Sequence, residues 1–403
     1  MTNEKIERSS IAKRRLLAFV HSVGVVTLAT ALGCGGVDQG VEKKSGAIVN
    51  NSNPTSPQLT LGSGWVQVPP LPSPVSPSGD PTLLAADYHI VTTFVQATSF
   101  GYWAGAGESA GEVSWAEYSG DVFATPAALA RLPTVHFDGG SAEEHLMVVG
   151  RAGGSDGRMY WSEAKIGQAT YGVFPPPVPV TFPAFATINN NKFSDPYGYP
   201  ALTSDSSGNV TMTYIGLNAS SQPTVYAQIK PFNGGWRARV AAPALPTGWT
   251  LVVGKPTIAW GYLGTCTIVV KAKTSTQTSF FRIFFDGTNF YDTLGPAGFR
   301  QLPLLTGSPS IGSDPALEWD GDLNAHTLYY RSGGNIYEAS FTDNAFYEAF
   351  KKLTASSSNP TFVGSPSVYG GINLENTEHW IMGRDASFNM YFGFTDTDSR
   401  LTP

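Results

Sequence analysis

The sequence predicts an all-β protein, and within that class a six-bladed β-propeller, on three observations. The 403-residue chain carries 44 Gly, 29 Pro and 12% aromatics against 14% charged residues, a mixture that favours turns and strands over helices. A tripeptide of Pro, then Ser, Thr or Ala, then Val, Ile or Leu recurs six times at roughly even intervals. The last repeat lacks one strand, and a strand-like segment ahead of the first repeat supplies it.

The amino terminus reads as a leader to be set apart from the fold. Lys13-Arg14-Arg15 precedes the uncharged stretch "LLAFVHSVGVVTLATALG" (16–33), which ends in small residues before Cys34. The Ala31-Leu32-Gly33-Cys34 junction resembles a bacterial lipobox with its Leu and small residue exchanged, which implies an acylated Cys34 on a cell-envelope lipoprotein. Gly35 stands where an Asp is associated with inner-membrane retention, so the expected location is the outer membrane or cell surface. The other readings are an uncleaved anchor, for which 18 residues interrupted by His21, Ser22 and Thr27 is marginal, and ordinary cleavage nearby. Residues 34–60, rich in Gly, Ser, Asn and Pro and without periodicity, read as a flexible tether, and the propeller is expected over 61–403.

Charge and cysteine content exclude several classes. Removing residues 1–33 takes five Lys/Arg from 25 and two Asp/Glu from 31, leaving 20 against 29, a net charge of −9. Nucleic acid, which needs clustered positive charge, is therefore not an expected partner. After Cys34 only Cys266 remains, within "CTIVVKA", so no internal disulfide forms and this thiol reads as a buried apolar side chain.

The repeat runs through Pro81-Thr82-Leu83, Pro133-Thr134-Val135, Pro200-Ala201-Leu202, Pro256-Thr257-Ile258, Pro309-Ser310-Ile311 and Pro366-Ser367-Val368, at spacings of 52, 67, 56, 53 and 57. Matches at Pro223, Pro243 and Pro315 fall outside this register. Each registered proline opens a first strand, followed by a Gly/Asp/Asn turn and an apolar second strand: "HIVTTFV", "HLMVVG", "VTMTYIG", "CTIVVKA", "HTLYYR" and "HWIMGR". Third strands are expected at "EVSWAEY", "RMYWSEA", "TVYAQIK", "FFRIFF", "NIYEASF" and "NMYFGF". Five units add an aromatic-led fourth segment: "GDVFA", "ATYGVF", "GGWRARV", "TNFYDTL" and "NAFYEAF". Four antiparallel strands per period make a propeller blade. The sixth unit ends without a fourth strand, and "GSGWVQVP" (62–69) is expected to complete it, closing the ring and removing free sheet edges. A pair of β-sandwiches, the competing architecture, predicts neither near-equal units nor a closing remainder.

This blade pattern, with its Pro-led first strand, apolar second strand often ending in Arg, "NIYEASF"-type third strand and Gly-Trp fourth strand, is similar to lectin propellers over about 61–403. It resembles the six-bladed fungal-type fucose lectins, the tectonins and the Photorhabdus-type lectins. The resemblance implies carbohydrate binding at shallow sites between blades, each built from an Arg, a Glu and an aromatic residue.

The residues themselves suggest where such sites lie. A sugar needs an aromatic face against its C–H surface and charged or amide groups for its hydroxyls. Trp115 and Glu117, Trp161 and Glu163, and Tyr226 and Gln228 stand two apart in the expected third strands, so each pair shares one face. Arg151, Arg331 and Arg384 close second strands, with Lys271 in a comparable place. The competing reading has the aromatics filling the inter-blade core while Arg and Glu pair with each other or with turns.

His145, His326 and His379 open second strands, with His89 as a fourth candidate, and suggest a metal at one axial opening. Each lies five or six residues before its strand-ending arginine, roughly 16–20 Å along an extended strand, so the two sets face opposite rims. No metal or other cofactor is expected. No Asp-box of the sialidase type occurs, although "SDSSGNVT" (204–211) echoes it; Asp87, Asp138, Asp314 and Glu318 leave glycoside hydrolysis open as an alternative. The function read here is non-catalytic binding of a glycan, with an envelope-protein scaffold as the further alternative.

Overall fold

The computed structural model describes residues 65–67, 79–86, 89–95, 101–107, 113–118, 127–138, 141–152, 156–170, 184–192, 197–205, 207–261, 264–292, 298–304, 308–320, 324–342, 345–346, 350–353, 360–370 and 378–396. The expected leader (1–33), tether (34–60) and acylated Cys34 lie outside them.

Among the described residues the regular structure is all strand, in six antiparallel sheets. The first sheet runs in chain order through Thr82–Ala86, His89–Val95, Gly101–Gly107 and Val113–Tyr118, and the second through Ala128–Asp138, Ser141–Arg151, Arg158–Thr170 and Ala186–Lys192. The third holds Ala201–Ser204, Val210–Leu217, Pro223–Lys230 and Val240–Ala241. The fourth is built on Thr257–Gly261, Thr265–Lys273 and Thr278–Phe285, the fifth on Ala316–Asp320, Ala325–Ser332 and Asn335–Thr342, each with short outer strands. The sixth has Val363–Gly370, Glu378–Arg384 and Met390–Asp396.

The first strands of successive sheets lie against one another, and Val363–Gly370 of the sixth returns to Thr82–Ala86 of the first. That contact order is a closed ring of six blades. Closure is completed as expected: Val66 pairs with Phe392 and Gln67 with Tyr391, so the amino-terminal segment forms the fourth strand of the sixth blade. The Trp65 ring meets Phe362 edge-on at 4.6 Å and holds that strand down.

Second strands are buried over long stretches, polar residues such as Thr211, Thr213 and Thr327 included, because each blade is flanked by two others. Val210–Ile215 is buried at every position, and so is Ala325–Tyr330. Hydroxyl residues of the first strands tie neighbouring blades together. Thr82 Oγ1 donates to the Ala127 carbonyl (2.7 Å), Ser367 Oγ accepts from the Leu83 amide (2.9 Å), and Thr203 Oγ1 accepts from the Trp260 amide (3.2 Å). Turns carry their own acceptors: Asp205 takes the amides of Ser207 and Asn209, and Asp385 those of Ser387 and Asn389.

Several sequence expectations are corrected. In the first sheet the third strand is Gly101–Gly107, and Val113–Tyr118, expected third, is fourth. The small residues of "GYWAGAG" conceal a strand that a hydrophobic pattern does not reveal. In the second sheet the expected fourth segment begins inside the long third strand, and Ala186–Lys192 takes the fourth place. Pro133 falls within Ala128–Asp138 instead of at its entry. In the fifth unit the entry is Pro315, outside the expected register, and Pro309 lies before the strand with its carbonyl accepting from the Tyr330 hydroxyl. The segment Gly-Ser-Pro-Ser occurs at 307–310 and again at 364–367, and only the second copy belongs to a first strand. There Pro366, which has no amide to donate, sits at the register shift between Val363 and Ser367.

Candidate functional site

The residue just before each entry proline marks one rim of the ring. Among the described residues these are Asp80, Tyr199, Lys255, Asp314 and Ser365, on the first, third, fourth, fifth and sixth blades. Second strands end at this same rim, and their terminal cations reach to the next blade. Lys271 Nζ pairs with Asp314 at 2.6 Å, Arg331 Nε donates to the Gly364 carbonyl at 2.7 Å, and Arg384 Nε donates to Asp80 Oδ1 at 3.0 Å. Three consecutive junctions thus share one clasp from the fourth blade round to the first.

The two carboxylates are seated on backbone as well. Asp314 accepts the Lys255 amide (2.9 Å) and Asp80 the Ser365 amide (2.9 Å). Each lies over a glycine, where a Cβ on Gly254 would stand 2.5 Å from the Asp314 oxygens and one on Gly364 would collide with Asp80. Arg331 also holds its own entry segment through the Gly312 carbonyl (2.5 Å).

Lys255 differs from the other rim cations. Its side chain keeps some exposure, yet burial pulls its ammonium below the usual lysine range, while the charges of Asp80 and Asp314 oppose that shift. Sequence reasoning missed this set because it followed the residues after each proline; the residue before it was the available signal.

A second cluster lies between the second and third blades. Trp161 is partly exposed, edge-on to Trp236 with ring centroids 6.5 Å apart, and Lys230 Nζ sits 5.1 Å from its ring centre. Two residues along the same strand, Glu163 meets His145 Nδ1 at 3.0 Å and Lys230 Nζ at 3.4 Å and keeps a quarter of its side chain exposed. The sequence-predicted pair is thus brought to one face, with Lys230 as the cation beside it. Arg151 lies on the same face, buried and closer to the entry rim, where it pairs in register with Met159.

The other predicted residues go elsewhere. Tyr226 and Gln228 are buried: Tyr226 stacks on Tyr214 at 5.6 Å, and Gln228 accepts from the Tyr214 hydroxyl and donates to the Arg237 carbonyl. They fill the core between blades. Arg331 and Arg384 serve the rim clasps. Trp115 and Glu117 are on a fourth strand, paired with Ala104 and Tyr102, and only their backbone is described. The histidines do not converge. His145 is on Glu163, His379 Nδ1 is 2.6 Å from the Tyr329 hydroxyl, and His326 stacks on Phe341 beside Trp319. Among the described residues no group of three or more His, Cys, Asp and Glu is arranged to hold a metal ion.

No family model matches the sequence, and no curated protein does. Among solved structures the chain is similar to the six-bladed lectin of Aleuria aurantia at 13% identity and a TM-score of 0.47, over 77% of this chain and 89% of the lectin. It is also similar to a sialidase of Trypanosoma rangeli (9% identity, TM-score 0.49, 81% of this chain and 56% of that one) and to the Hadza microbial sialidase Hz136 (9%, 0.47, 79% and 65%). The chain therefore spans less than two thirds of either sialidase. The propeller assignment stands on the strand pairing and the ring of first strands.

Proposed function

We propose that this propeller binds carbohydrate without turning it over, at the groove between the second and third blades. The observation that carries this reading is the partly exposed Trp161 ring beside the Glu163 carboxylate, with Lys230 and His145 fixing that carboxylate from two sides. An indole face suits the C–H surface of a pyranose, and a carboxylate whose position is already fixed accepts sugar hydroxyls with little further ordering. A glycan array probed with the full-length chain tests it. Binding of a defined sugar class that falls at least about tenfold in Trp161→Ala and in Glu163→Gln supports the groove. Turnover of a glycoside would point instead to a hydrolase, and silence in both assays to a protein-binding scaffold.

We further propose that the chain is a bacterial envelope lipoprotein acylated on Cys34, from the Lys13-Arg14-Arg15 cluster, the apolar run 16–33 and the Ala31-Leu32-Gly33-Cys34 junction. Incorporation of an alkyne-tagged fatty acid that disappears in Cys34→Ala is the expected result.

A further inference from the structure

We propose that the groove between the second and third blades takes an N-acetylated amino sugar, with the Trp236 indole N–H as the donor that reads the acetamido carbonyl. This rests on the carbohydrate reading of that groove and narrows it to one substrate class. The observation behind it is a donor left over. Trp236 Nε1 is buried and has no hydrogen-bond partner, although the residue as a whole is only half-buried and its ring stands edge-on to the partly exposed Trp161, with centroids 6.5 Å apart. A buried N–H without an acceptor is unfavourable, and a ligand carbonyl brought to it relieves the deficit.

The rest of the groove complements the rest of an acetamido group. Glu163, two residues along the strand from Trp161, has one oxygen on His145 and the other on Lys230 and keeps a quarter of its side chain exposed, so lone pairs remain for an amide N–H. The Trp161 ring offers an apolar surface to the acetyl methyl. A trans amide points its N–H and its C=O in opposite directions, which suits an acceptor and a donor held on different strands. A ring hydroxyl stays close to the pyranose, whereas the acetamido carbonyl projects from it into the seam between the two indoles. That seam gives way at Trp236, whose neighbours 233–235 and 237–239 are exposed, and where a Cβ on Gly235 would meet nothing within 4 Å.

The test is titration of the full-length chain with the methyl glycosides of N-acetylglucosamine, N-acetylgalactosamine, glucosamine, galactosamine, glucose and galactose, followed by calorimetry and by the indole N–H signals in NMR. At least one N-acetylated sugar is expected to bind about tenfold or more tightly than its amino and its unsubstituted counterparts. It is also expected to shift the one indole signal that disappears in Trp236→Phe. That variant keeps an aromatic ring and loses the N–H, so the preference is expected to shrink to within about threefold. Trp236→Tyr assigns the same signal independently, so the NMR result in the parent does not depend on Trp236→Phe folding. Sugars that bind through Trp161, as judged by Trp161→Ala, with no advantage for the acetamido group overturn this inference and leave the carbohydrate reading standing. A preference that survives Trp236→Phe overturns it, as does a Trp236 signal that does not move. Amino sugars that bind as tightly as their N-acetylated forms also overturn it, because the Glu163 charge and not the indole would then be the reader. No binding by any of the six overturns it as well, and the carbohydrate reading falls with it only if the glycan array is silent too.

Discussion

Arg384 Nε donates to Asp80 Oδ1 across 3.0 Å, and with the Ser365 amide on Asp80 Oδ2 this ties the last blade to the first. Asp80→Ala removes a partly exposed ion pair and leaves the Ser365 amide without its acceptor. The expected loss is about 1–2 kcal/mol, read as a lower urea midpoint. Asp314→Ala, the same clasp between the fourth and fifth blades, is expected to fall in the same range. An unchanged midpoint for both would remove the clasps from any account of stability.

Gly364→Ala is expected to be more damaging than either carboxylate change. Gly364 has φ +76° and its absent Cβ is where the Asp80 carboxylate sits, so alanine meets backbone strain and a collision together. A loss of at least about 2 kcal/mol is expected, and Asp80→Ala should recover part of it by clearing the collision. Gly393→Ala offers a comparison at the same blade, since its Cβ would come within 2.6 Å of the Trp65 ring.

How far the fold was legible follows from these positions. Near-continuous apolar runs and entry prolines revealed the second strands and the ring, because burial on both faces writes a strong signal such as "HTLYYR". Gly101–Gly107 escaped because five of its seven residues are Gly or Ala, which write no hydrophobic pattern. The Trp161 and Glu163 pairing was legible from spacing alone, whereas Lys230 was not, since it arrives from the next blade. Tyr226 and Gln228 show the same spacing and are buried, for the depth of a strand pair is set by its neighbours and not by its own sequence.

His326 gives a pH-dependent prediction. Burial, reinforced by the Arg282 charge, lowers its pKa to about 3 from 6.5. Between those values the unfolded chain takes up a proton that the folded one refuses, so stability falls as pH drops from 6.5 toward 3. His326→Phe is expected to flatten that limb by a few kcal/mol, on the order of what such a shift supplies. Urea midpoints measured at several pH values across the window check it, and a limb of unchanged slope would refute it.

Cys266 is buried, and burial pushes its thiol up to about 12. Its contribution to stability is full below about pH 9 and is lost as pH rises toward 12, because the unfolded chain releases its proton first. In the folded chain at pH 8 Cys266 is expected to resist thiol reagents and to react on unfolding, with peptide mapping to separate it from Cys34. Fast labelling under native conditions would contradict its placement.

The pairing of Val66 with Phe392 sets an order on how the ring is assembled. Synthesis delivers Trp65 and its strand before any blade exists, yet their seat is made from Met390–Asp396, which follows the other five blades along the chain. Until then a large indole and an unpaired ribbon wait in solvent while five blades form behind them. Truncation anywhere before Met390 would leave that early segment permanently without a berth, and the molecule open at one seam.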